Sequence, residues 1–196
     1  MTTLAARLNP NGSLVSGSGG DVSALSDLAK AGVFEAMPDA RVAVVLRDPL
    51  SLARALIALD GQVAALLLLS AQAKPDVITQ LIESEGCTHL LTDRADLEED
   101  PRVLSLSALM GAHREASPRP TAWLMTTSGT TGLPKIIPHT LASLSRTTVK
   151  LSGAPVWGML YDGTRFAGMQ LMLQGLIGGG KLVLVDTNKA LGQQVA

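Results

Sequence analysis

Apolar positions along this 196-residue chain alternate between two rhythms, and the alternation predicts the fold. Residues 41–46 (RVAVVL) are an apolar run of strand length. In the next segment Leu52, Leu56 and Leu59 recur at helical spacing. Asp48 can cap that helix, Pro49 suits its first position and Gly61 can end it. Residues 63–69 (VAALLLL) are apolar on both faces, as in a parallel strand covered by helices. Pro75 opens another helix through Val77, Leu81 and Ile82, with Gly86 as its stop, and residues 88–93 (THLLTD) are the next strand. This β-α-β-α-β order predicts an α/β fold with a parallel, doubly wound sheet and flanking helices.

The flanks read less regularly. Residues 9–20 (NPNGSLVSGSGG) are rich in Gly, Ser and Asn. The expected organisation is therefore a flexible N-terminus over 1–20 and an α/β subdomain over 21–196. Residues 21–32 read as a helix with Val22, Leu25, Leu28 and Ala29 on one face and Gly32 closing it. Residues 94–120 read as a solvated link, with Asp96, Glu98, Glu99 and Asp100, a short VLSL strand and a Pro-rich end. A strand follows at 121–127, then a helix at 141–151, a strand at 157–162, a helix near 164–177 and a strand at 181–186. Gly178, Gly179 and Gly180 stand where a helix must stop before a strand.

Composition changes this picture in two ways. Charged residues are only 17% of the chain and hydrophobic ones 46%, against about 25% charged in ordinary soluble domains. Either the core is rich in Leu and Ala, or apolar surface faces a partner, with self-association one form of that. Charge is also uneven. Residues 1–120 carry ten Lys/Arg against fifteen Asp/Glu, whereas residues 121–196 carry six against two. The basic end suits an anionic ligand, but it is too mild, with too few aromatics, for a nucleic-acid partner.

Cys87 is the only cysteine, which excludes an internal disulfide and a cysteine metal cluster; it reads as a small buried hydrophobe. The histidines, His89, His113 and His139, lack metal-ligand spacing, so no metal site in the protein is expected. The N-terminus lacks a signal-peptide core, and residues 63–69 are too short to span a bilayer. No membrane partner is expected, and a cytoplasmic location follows.

The chemistry concentrates at residues 126–135, TTSGTTGLPK. Gly129 and Gly132 permit positive φ and close approach of phosphate oxygens to backbone N–H groups. Thr126, Thr127, Ser128, Thr130 and Thr131 supply hydroxyl donors, Lys135 a point cation, and Pro134 a stiff exit. The loop leaves the carboxyl end of a buried strand, where α/β sheets bind ligands. It is not a Walker loop, because Pro134 rather than Gly precedes Lys135 and Ile136 follows it.

TTSGTTGLPK resembles the phosphate-binding signature of the AMP-forming adenylate-forming enzymes: acyl- and aryl-CoA ligases, luciferases and peptide-synthetase adenylation domains. PHTLASL after the loop, FAGMQLMLQGLIGGGKLVLV beyond it and the strands before it also look like that family, so the resemblance covers roughly residues 35–190. It implies a carboxylic acid activated by ATP and Mg2+ to an acyl-adenylate, with CoA or a carrier pantetheine as acyl acceptor. Thr127, Ser128, Gly129, Thr130, Thr131, Gly132 and Lys135 would hold the β- and γ-phosphates, and Lys135 would offset the pyrophosphate charge in catalysis.

The family's Tyr-Gly-x-Thr-Glu segment, ribose-binding aspartate, hinge and mobile C-terminal domain have no counterpart in the chain. The expectation is therefore an N-terminal portion, inactive alone, whose partner is the missing C-terminal half or a separate subunit. The alternative is a non-catalytic split or degenerate half with a structural or partner-binding role.

Three smaller features carry two readings each. His139 enters a helix and bonds backbone, or it lines a pocket. The rings of Trp157, Tyr161 and Phe166 pack in the core, or they wall an acyl site. Arg165 is solvated, or it meets a carboxylate.

Overall fold

The computed structural model describes residues 2–17, 20–30, 37–104, 119–127, 133–153 and 155–185. Ten strands and six α-helices occur among them: α1 Leu4–Arg7, β1 Ser13–Ser16, β2 Val22–Ala24, α2 Leu25–Lys30, β3 Met37–Val45, α3 Pro49–Leu59, β4 Val63–Leu68, α4 Pro75–Ser84, β5 His89–Thr92, β6 Val103–Leu104, β7 Ala122–Thr126, β8 Ile136–His139, α5 Leu141–Leu144, β9 Val156–Met159, α6 Phe166–Leu173 and β10 Lys181–Leu184. They build two sheets. One has six strands in the order β6-β5-β3-β4-β7-β8, the other four in the order β2-β1-β10-β9. All pairings are parallel except β7 with β8 and β1 with β2.

The expected α/β architecture with parallel strands and flanking helices is present, and β3 to β5 with their helices lie where the periodicity puts them. Asp48 caps α3 by accepting from the Leu50 and Ser51 backbone N–H groups at 3.3 and 2.9 Å, Pro49 begins the helix, and Gly61 leaves it at φ +88°. Successive residues of β3 and β4 point to opposite faces. Val42, Val44, Leu66 and Leu68 join a core shared with the second sheet, α3 and α6. Ala43, Val45, Ala65 and Leu67 instead pack on Ile78, Leu81 and Ile82 of α4. Burial on both sides is why these strands are apolar throughout.

The flanks differ from expectation. Beyond β8 the later strands do not extend the first sheet; β9 and β10 join β1 and β2 in the second. The N-terminal stretch read as a flexible lead-in supplies β1, whose residues Ser13–Ser16 pair with Lys181–Leu184 across most of the chain length. Leu14 is fully buried there. The Gly/Ser-rich composition concealed a four-residue strand whose partner is remote in sequence. Residues 22–24 are the antiparallel partner of β1 rather than the first turn of a helix, which starts only at Leu25.

The helix expected over 141–151 ends at Leu144. Thr140 and Ser143 form a capping box that starts it. Beyond it the backbone N–H and C=O of Val149 pair with the Gln174 side chain at 3.0 and 2.8 Å, an alternative to helical hydrogen bonds. Gly179 and Gly180, at φ +98° and +100°, end the helical segment as expected. A Cβ on Gly180 would lie 2.2 Å from the Pro155 carbonyl oxygen.

Candidate functional site

β7 runs through the sheet between β4 and β8, with Trp123 completely buried. Its carboxyl end delivers Thr126 and Thr127 to the sheet edge. The chain then returns as β8, antiparallel, with Thr126 opposite Ile136. The Thr127 N–H donates to the Lys135 carbonyl at 2.9 Å, and its hydroxyl points to the same oxygen at 3.4 Å. β7 and β8 are therefore a hairpin pair whose ladder is closed by Thr127 and Lys135, the residues that flank the loop. Thr127 and Lys135 are both exposed. Ser128, Gly129, Thr130, Thr131 and Gly132 lie outside the described residues. Sequence reading placed no strand at 136–139. Pro138 obscured it, and an edge strand tolerates proline because one side of its backbone needs no partner.

A second element meets this hairpin. The turn between β9 and α6 is tied by Asp162, whose carboxylate accepts from the Thr164 N–H at 2.9 Å, the Thr164 hydroxyl at 2.6 Å and the Ser70 hydroxyl at 2.5 Å. The Arg165 N–H donates to the Asp162 carbonyl at 3.0 Å. The Arg165 guanidinium reaches Thr126 Oγ1 at 3.4 Å. The His139 and Phe166 rings lie 5.7 Å apart, so β8 and the start of α6 are neighbours. His139 closes β8 rather than entering a helix.

The ring-packing reading fails for two of three aromatics: Tyr161 is 66% exposed and Phe166 50% exposed. Trp157 is half-buried and donates to the Gly179 carbonyl at 3.3 Å.

Beside the hairpin, a cleft of about 530 Å³ opens where the carboxyl ends of both sheets converge. Arg47, Asp48, Gln72 and Asp93 line it from the six-stranded side, and Ser16, Tyr161, Asp162 and Val185 from the other. Asp93 braces its rim by accepting from the Arg47 and Asp48 N–H groups, both at 2.9 Å to Oδ2. Neither Thr127 nor Lys135 lines this cleft.

Sequence reasoning missed Asp60, a buried carboxylate that accepts from the Leu4 N–H at 2.7 Å and the Trp123 indole N–H at 2.9 Å. Burial pushes its carboxyl above the ordinary value, while those two bonds pull it back. Its partners lie 56 and 63 residues away, so no local pattern announces them. Cys87 is buried as expected, and burial pushes its thiol up to about 11.

The sequence profile of the AMP-binding enzyme family matches residues 27–195, and the chain belongs to that family. Solved structures agree on the fold. The o-succinylbenzoate coenzyme A synthetase (MenE) from Bacillus subtilis, in complex with ATP and magnesium ion, superposes with a TM-score of 0.76 at 19% identity, over 96% of this chain and 57% of that one. The Klebsiella oxytoca NpsA N-terminal subdomain in complex with 3-hydroxyanthranilyl-AMSN gives 0.73 at 14% identity, over 96% and 53%. NpsA-ThdA, an artificially fused adenylation-PCP di-domain from the same organism, gives 0.72 at 16% identity, over 97% and 42%. The chain thus spans about half the length of these solved chains. No curated protein matches it by sequence. Among the described residues, no helix is long and apolar enough to cross a membrane.

Proposed function

We propose that the chain is the N-terminal part of an AMP-forming acid–thiol ligase. In this reading a substrate carboxylate oxygen attacks the α-phosphorus of ATP and the bond to the pyrophosphate oxygen breaks. A thiol of CoA or a carrier pantetheine then attacks the acyl carbonyl and AMP leaves. The observation that carries the reading is the TTSGTTGLPK segment, inside the family match, leaving the carboxyl end of β7 and closing at Thr127 and Lys135.

The role of these residues is electrostatic. Thr127, Ser128, Gly129, Thr130, Thr131 and Gly132 offer hydroxyl and N–H donors to the β- and γ-phosphates, and Lys135 offsets charge that builds on the leaving pyrophosphate. Magnesium belongs to the ATP phosphates, which supply much of its shell in such sites. Among the described residues, no group of three or more His, Cys, Asp or Glu is arranged to hold a metal.

The second reading is a non-catalytic split or degenerate half with a structural or partner-binding role; the chain spans about half of the solved chains it matches.

Calorimetric titration with Mg-ATP and with pyrophosphate tests the phosphate site. Both ligands are expected to bind, and Lys135→Ala to weaken both by roughly tenfold, the size of a lost charge-assisted contact. A folded chain that binds neither overturns the assignment. ATP–pyrophosphate exchange separates the two readings: negligible exchange by the chain alone is expected, and full exchange would remove the second.

A further inference from the structure

Arg165 stands out when every cation near the hairpin is compared. It is half-buried, and a guanidinium stays charged at any physiological pH. Arg41 and Arg102, of similar burial, pair with Glu85 and Asp100, whereas half-buried Arg7 and Arg54 lie far from the hairpin in sequence and meet serine hydroxyls, Ser145 and Ser23. Arg165 has no carboxylate within ion-pair distance among the described residues. Its side-chain contact there is the Thr126 hydroxyl, at the last residue of β7. The nearby Asp162 carboxylate is engaged by Ser70 and Thr164.

The mount is rigid. A Cβ on Gly168 would lie 2.1 Å from the Asp162 carbonyl oxygen, and one on Gly163 would lie 2.7 Å from Met159 Cε and 2.8 Å from Leu52 Cδ2. The turn carrying Arg165 is therefore locked to the first turn of α6 and to the core below it. Fixing a charge in place without a counter-charge is costly unless an anion completes the site. The surrounding segment is basic, with six Lys/Arg against two acids over residues 121–196.

From this we infer that Arg165 is a second cation of the phosphate site, placed beside Thr126 to hold an oxyanion of the pyrophosphate moiety together with Lys135. The inference rests on the proposed function above. Thr126 and Ile136 are directly opposed at the end of the ladder, and Thr127 and Lys135 close it one residue further. Arg165 therefore meets the hairpin at its base, next to the pair that includes Lys135. A planar guanidinium can grip two phosphate oxygens at once, which a lysine cannot do.

The test is calorimetric titration of the full chain with pyrophosphate, at two salt concentrations, using wild type, Lys135→Ala, Arg165→Ala and Arg165→Lys. Thermal unfolding of each variant reports whether the fold survives. Arg165→Ala is expected to weaken pyrophosphate binding by roughly tenfold and to flatten its salt dependence, and Arg165→Lys to restore part of both. A folded Arg165→Ala that binds like wild type, while Lys135→Ala loses binding, overturns the role of Arg165 and leaves the phosphate site standing. Wild type that binds no pyrophosphate overturns both. Should Arg165→Ala fail to fold, Arg165→Lys decides: unchanged affinity and salt slope refute a bidentate contact, and a partial loss supports it.

Discussion

The two sheets of this protein reach the same layered core by different routes. In the six-stranded sheet, β3, β4 and β5 are consecutive in the chain and joined by single helices, so each crossover is closed by residues near in sequence. In the four-stranded sheet the central pair is β1 with β10, joining Ser13–Ser16 to Lys181–Leu184. The first sheet is written in local periodicity. The second exists because a chain end returns to a strand about 170 residues away, as the Ser13–Lys181 pairing shows. Asp60 rivets the two systems: it holds the Leu4 N–H of the N-terminal segment and the indole of Trp123 in β7.

That contrast can be broken by substitution. The largest effect is expected at Trp123, completely buried in the first sheet and bonded to Asp60. Trp123→Ala should cost about 3–5 kcal/mol in denaturant unfolding, and a loss under 1 kcal/mol would show that this core is not continuous. Leu14→Ala, at a fully buried position of β1, should cost about 2–4 kcal/mol. Hydrogen exchange would sharpen the comparison: amides of β10 and β2 should lose protection while those of β3 and β4 keep theirs. Equal loosening of both sheets would mean they unfold as one unit.

The smallest effect concerns the rivet and has a definite sign. The Asp60 carboxyl is raised in the fold above its ordinary value of 3.8, chiefly by burial. The ionised form is thus penalised at neutral pH, and the penalty is relieved as pH falls through the raised folded value towards 3.8. Wild type should gain stability relative to Asp60→Asn over that window, measured by denaturant midpoints at paired pH values. Asp96 and Asp100, whose carboxyls Arg94 and Arg102 hold below the ordinary range, act oppositely and are common to both proteins.

The candidate site was legible only in part. The phosphate-type loop announced itself by residue type, and Thr127 and Lys135 do close it. Its setting as a hairpin did not show, because Pro138 masks an edge strand. The approach of Arg165 to Thr126, 39 residues away, has no local signature. The cleft is assembled from residues at or just after the ends of six strands in two sheets, β1, β3, β4, β5, β9 and β10, which are remote from one another in sequence.

Local sequence alone specified the α/β class, the order and approximate positions of β3, α3, β4, α4 and β5, the glycine stops at Gly61, Gly86, Gly179 and Gly180, and the donor types of the loop. Each of these depends on φ restriction, side-chain periodicity or donor type, which act over a few residues. Long-range packing alone sets the division into two sheets, the strand in the N-terminal stretch, the burial of Asp60 and the place of Arg165 at the hairpin. Those outcomes depend on pairing and desolvation between remote segments, and the cost and gain of bringing such segments together are not encoded in any short stretch of chain.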